Sequence, residues 1–150
     1  MKKIMCCLAL AAMAVFTSGA FAQDAAQAGE PTLTSAEVKF DTTTNNKDQK
    51  TGMDVYIKTS HGREAGKSEN NRGRWERNST HTVTIQIESN RTKEEVANGS
   101  VTVRIHPQHR DDWAFNYKVN LTFSDGSTII REFTGCDLTQ HDPARTDSLK

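Results

Sequence analysis

A disulfide framework is missing from this chain. Of its three cysteines, Cys6 and Cys7 lie in a short apolar run at the N-terminus, which leaves Cys136 alone, and one thiol makes no internal bridge. An excess of charge of one sign is missing too. The chain carries 19 Lys and Arg against 19 Asp and Glu, and without Lys2 and Lys3 the balance is 17 against 19. Such a balance excludes long-range steering toward nucleic acid or anionic lipid, so membrane contact would need a bridging cation or apolar loop tips. No apolar run follows the one that begins at Ile4, so no transmembrane segment is expected in the mature chain. Sustained helical periodicity is absent as well.

Catalytic motifs are equally scarce. Ser124-Asp125-Gly126-Ser127 is a turn, whereas a nucleophile elbow needs Gly-x-Ser-x-Gly between a strand and a helix. Gly66-Lys67-Ser68 lacks the earlier glycine of a phosphate-binding loop, and Glu64 would repel the phosphates. His106 and His109 are spaced like a metal-ligand pair, but no third ligand stands close in the sequence. The five histidines, His61, His81, His106, His109 and His141, read as loop residues that gain charge in mild acid. No enzymatic activity is expected.

What is present begins with an export signal. Lys2 and Lys3, the apolar stretch from Ile4 to Phe16, and Ala20-Phe21-Ala22 make up a cleavable signal peptide over residues 1–22. The destination is periplasmic or extracellular. Residues 23–32 form a flexible lead-in, residues 33–138 one domain, and residues 139–150 a polar C-terminal tail expected to fray.

Within that domain the apolar residues alternate. Trp113, Phe115, Tyr117, Val119, Leu121 and Phe123 are separated by Ala114, Asn116, Lys118, Asn120 and Thr122. That period of two is a half-buried strand, since successive side chains point to opposite faces. Shorter runs repeat it: Val38 and Phe40; Met53, Val55 and Ile57; Val83, Ile85 and Ile87; Val101, Val103 and Ile105. Asp125-Gly126 predicts a type I′ hairpin before a strand over 128–134. Thr92 and Glu95 predict a capped helical turn in 91–99. Residues 61–79, with Trp75 as their single large apolar side chain, form either a functional loop or one that hides a short strand around Trp75. Uneven loops favour an all-β, antiparallel β-sandwich of two sheets, with about seven or eight strands, over a closed barrel.

Two segments carry a family resemblance. Residues 50–57, KTGMDVYI, resemble the TG-x-D-x-x-VYI strand of PLAT (polycystin/lipoxygenase/alpha-toxin) domains, and residues 101–138 resemble that domain's later half. Asp112-Trp113 stands at its Asp/Asn-Trp pair, and Phe133 and Cys136 at its closing Phe and Cys. Only Asp54 represents the two acids that usually precede VYI. The resemblance implies an eight-stranded sandwich that binds membrane lipid or protein, sometimes through calcium.

Calcium binds six to eight oxygens, which loops at one end of a sandwich can supply. Asp41, Asp48 and Asp54 crowd the first hairpin, and Asp125 is the expected cross-loop partner if 61–79 holds no crossing strand. A crossing strand would instead group 41–54 with Asp111 and Asp112; solvated turn acids are the plain alternative. The outward Asn116, Lys118, Asn120 and Thr122, with Tyr56, offer a polar face of the kind that holds glycans or simply meets water. These readings amount to a non-catalytic secreted recognition module for a lipid, membrane-surface or protein partner, possible calcium included. A periplasmic protein-interaction or inhibitor protein is the alternative, with a glycan-binding module or small hydrolase behind it. Intact-mass measurement of exported protein is expected to show a chain beginning Gln23-Asp24; retention of residues 1–22 or a lipid adduct on Cys6 or Cys7 would contradict the leader assignment.

Overall fold

The computed structural model describes residues 29–150, so residues 1–22, expected to be a signal peptide, and residues 23–28 lie outside the described part. Nine strands and one short helix follow in chain order: β1 Leu33–Thr42, β2 Gly52–Lys58, β3 Glu64–Ser68, β4 Thr80–Thr84, β5 Gln86–Ile87, α1 Lys93–Ala97, β6 Ser100–His106, β7 Asp112–Phe123, β8 Thr128–Thr139 and β9 Ala144–Ser148. They form two antiparallel sheets, of order β4-β1-β7-β8 and β5-β3-β2-β6-β9. The all-β sandwich expected from the alternation is the architecture observed.

The inward set also matches. Val83, Ile85, Val101, Val103, Ile105 and every odd-numbered position of β7 from Trp113 to Phe123 are buried in one cluster, and Ile87 packs against it partly exposed. Between them lie the polar partners that the period of two sends outward. Thr92 caps α1 by accepting from the Glu95 N–H, and the Glu95 carboxylate reaches back to Thr92, completing a capping box.

Strand register assigns every loop to an end. Thr42 pairs with Phe115 and Leu33 with Phe123, while Gly52 pairs with His106 and Lys58 with Ser100. Loops 43–51, 69–79, 107–111 and 140–143 therefore share one end, here the β1–β2 end. Loops 59–63, 88–99 and 124–127 share the other, the hairpin end.

Four expectations need correction. First, residues 61–79 do contain a strand, but it is β3 at Glu64–Ser68, while Trp75 makes only a single bridge to Lys47. Gly66 explains its weak signal: a Cβ there would lie 2.8 Å from Ile85 Cγ2, so a neighbour fills the space of a core side chain. Second, β8 runs to Thr139 with an extra residue between Phe133 and Cys136 opposite Phe115–Tyr117, where Gly135 takes a positive φ. Third, residues 144–148 are no frayed tail. They pair with β6 as an edge strand, and Leu149 is fully buried. Fourth, the hairpin is not type I′, because Gly126 alone has a positive φ; Asp125 instead accepts from the Ser127 N–H.

Val103→Ala is expected to lower unfolding free energy by about 2–3 kcal/mol through the cavity it leaves. Thr102→Ala removes only an exposed hydroxyl contact to Thr146 and is expected to cost well under 1 kcal/mol. Urea titration of both variants checks the core assignment; equal costs would refute it.

Candidate functional site

At the β1–β2 end, loops 43–51 and 69–79 are pinned together from inside. Lys47 and Trp75 exchange both backbone hydrogen bonds, at 3.0 Å each. The Lys47 side chain then turns inward and is completely buried. Its ammonium donates to the carbonyls of Thr51 at 2.8 Å and Gly73 at 2.7 Å, and lies 5.0 Å from the Trp75 ring centroid. A buried ammonium needs such partners, because desolvation otherwise favours the neutral amine. Burial pushes its pKa down from 10.5 to about 8, against the opposing pull of Asp111 and Asp48. Beyond Trp75, His81 stacks at 4.6 Å, and burial together with Lys47 lowers its pKa.

Beside this staple, on the outer face of the five-stranded sheet, lies a cleft of about 740 Å³. Register rather than sequence proximity builds its floor. Asp54 and His106 are 52 residues apart, yet the β2–β6 pairing puts them on one face of adjacent strands. The Asp54 carboxylate is buried and fully engaged. Oδ1 accepts from the Asn70 N–H at 2.7 Å; Oδ2 meets His106 Nε2 at 2.6 Å and the Tyr56 hydroxyl at 3.2 Å. Burial raises its pKa, but these hydrogen bonds outweigh that and hold it below the ordinary carboxylate value. The Tyr56 hydroxyl shares its one proton between Asp54 and Glu69, the latter at 2.9 Å, and burial with these two acids pushes its pKa up to about 12. Gly52 keeps the floor open: a Cβ would stand 3.3 Å from Asn70 Oδ1.

The four acids of the calcium expectation do not meet. Asp125 is at the hairpin end, where it accepts from Ser127 and lies 3.8 Å from Lys93. The other three are at the β1–β2 end but point to separate partners. Asp41 accepts from Thr80, Asp48 from its neighbour Gln49, and Asp54 from the cleft donors just described. With β3 crossing, the second grouping holds instead, since the Asp48 N–H donates to Asp111 Oδ2 at 3.1 Å. Among the described residues no three His, Cys, Asp or Glu side chains converge as a metal site. His106 contacts Asp54 rather than forming a ligand pair with His109.

The polar face divides as well. Asn116, Lys118 and Asn120 lie between Asp41, Lys39 and Glu37 of β1 and the outward side of β8, whereas Tyr56 is on the other sheet. Cys136 is buried, which raises its thiol pKa.

No protein-family model matches the chain, and a search of the curated proteins returns no match. The geometry is therefore the ground for any functional reading.

Lys47 has a signature in alkali. Between about pH 8 and 10.5 the unfolded chain holds the Lys47 proton more tightly than the folded one, so stability contributed by this group rises with pH. The raised Tyr56 and Tyr117 act oppositely: above 10.0 the unfolded state loses protons that the folded state keeps, and stability falls. Lys47→Met is expected to cost about 2 kcal/mol at pH 7, by orphaning two carbonyls, and to abolish the rise between pH 8 and 10. Urea denaturation at pH 7, 9.5 and 11.5 reads both effects.

Proposed function

We propose that this chain is a non-catalytic, exported recognition module of PLAT-like type that holds its ligand in the Asp54–His106 cleft. The carrying observation is the network on the cleft floor. Asp54 fixes His106, Tyr56 and the backbone of Asn70 at once, so the cleft is preorganised and little ordering cost falls on binding.

Of the residues that carry the resemblance, Gly52–Ile57 lie in β2, Asp112-Trp113 opens β7, and Phe133 and Cys136 belong to β8. A lipid surface is the less favoured partner, because Trp75 and Trp113 are both buried and Ile130 is the one large hydrophobic exposed among the described residues. No helix in that part is long and apolar enough to cross a membrane. The protein-interaction alternative draws on the opposite face. There Ile130, 51% exposed, stands opposite Asn120, whose buried Oδ1 has no partner.

A photoactivatable diazirine side chain placed at Gln108, on the cleft rim, tests the reading in cells that export the protein. The expected result is a discrete adduct at 108, absent when the probe is moved to Thr84, with the captured ligand's mass unchanged on incubation. No adduct at 108 would remove the cleft as a recognition site, and cleavage of the ligand would replace the module with an enzyme.

A further inference from the structure

The charges around the cleft are not equally occupied. Its acids are satisfied from within: Asp54 by the Asn70 N–H and His106, Glu69 by Lys67 at 3.2 Å, with the one Tyr56 proton shared between the two carboxylates. Its cations are not. Lys50 and Arg72 both line the cleft, and neither has a carboxylate within ion-pair distance among the described residues. Arg72 spends only Nε, on Asn70 Oδ1 at 2.8 Å, which leaves both terminal nitrogens unoccupied. Those two nitrogens can present a planar fork to a carboxylate.

The rest of the lining is amide and proline. Asn70, Gln108 and Gln140 bring groups that both donate and accept, which suits hydroxyls, since these do the same. Pro107 and Pro143 supply apolar surface beside them, suited to the carbon face of a ring. The volume, about 740 Å³, falls within the range of small-ligand sites. An acidic peptide would satisfy the same cations, but it offers no apolar ring face to lie against Pro107 and Pro143.

From this arrangement we infer that the cleft binds an acidic saccharide, with Arg72 and Lys50 taking a ring carboxylate and the three side-chain amides its hydroxyls. The inference rests on the cleft being the recognition site and names its ligand class. Both cationic side chains are exposed, so their replacement leaves the core untouched.

Calorimetric titration of the exported chain with a galacturonate tetrasaccharide, a neutral maltotetraose and tetraglutamate decides it. The acidic saccharide is expected to bind at least tenfold tighter than either other probe, to weaken at higher salt, and to lose tenfold or more in Arg72→Gln and in Lys50→Gln. Unchanged melting curves of those two variants would show that the loss is local. Equal binding of tetraglutamate would overturn the saccharide assignment in favour of simple charge recognition, and no binding of any probe would overturn it outright. A Gln108 cross-link that carries no saccharide would leave the recognition site standing while removing this ligand. Absence of any cross-link there would remove the site itself.

Discussion

Phe40 is ringed by Trp75, Trp113, Phe115 and Tyr117, with centroid separations of 5.5 to 5.7 Å. Tilted and offset contacts of this kind suit the quadrupoles of the rings and add to the burial of their area. The position of Phe40 gives the cluster its reach. β1 is hydrogen-bonded to β4 on one side and β7 on the other, so the ring anchors the middle of the four-stranded sheet. Through Trp75 the same cluster grips loop 69–79, and Trp75 in turn offers its face to Lys47. Core, loop and buried ammonium thus form one continuous body. The cleft stands beside it on a rigid support, since the backbone of Asn70 and Asn71 is tied to β2 at Asp54 and Met53.

Polar groups inside the sandwich are arranged rather than merely tolerated. On β9, Arg145 and Asp147 point inward as a bidentate pair at 2.6 and 2.9 Å, and the Tyr117 hydroxyl donates to the same carboxylate at 2.6 Å. Burial, aided by Asp147, raises the Tyr117 pKa, while the pairing with Arg145 and Tyr117 outweighs burial and lowers that of Asp147. Inward charge on an edge strand disfavours pairing with another chain. On the other sheet, Arg131 caps the Ile130 carbonyl on the edge strand β8 and reaches the carbonyl of Leu149 across the gap.

Where side chains alternate in water affinity, the fold was legible from the residues alone. The β7 run announces its inward face because each of its odd positions from 113 to 123 is large and apolar. The two strands that escaped notice break that rule for physical reasons. In β3, Gly66 yields its inward space to Ile85; in β9, the inward positions are an arginine and an aspartate that neutralise each other. Lys47 escaped in the same way, because a lysine in a polar loop reads as solvated until three-dimensional neighbours supply its carbonyls. The cleft was half legible. Asp54 stood out as an acid in a strand, but joining it to His106 requires the β2–β6 register, which no local pattern encodes. Reading Asp125 as its partner failed because one unseen strand, β3, reverses which loops share an end.

Chain order gives β9 a further significance. It follows every other strand, yet it completes one edge of the five-stranded sheet, supplies the partner of the Tyr117 hydroxyl and delivers Leu149 to the core. During synthesis the sandwich therefore lacks an edge and a stretch of its interior until residue 149 is free of the machinery that makes it.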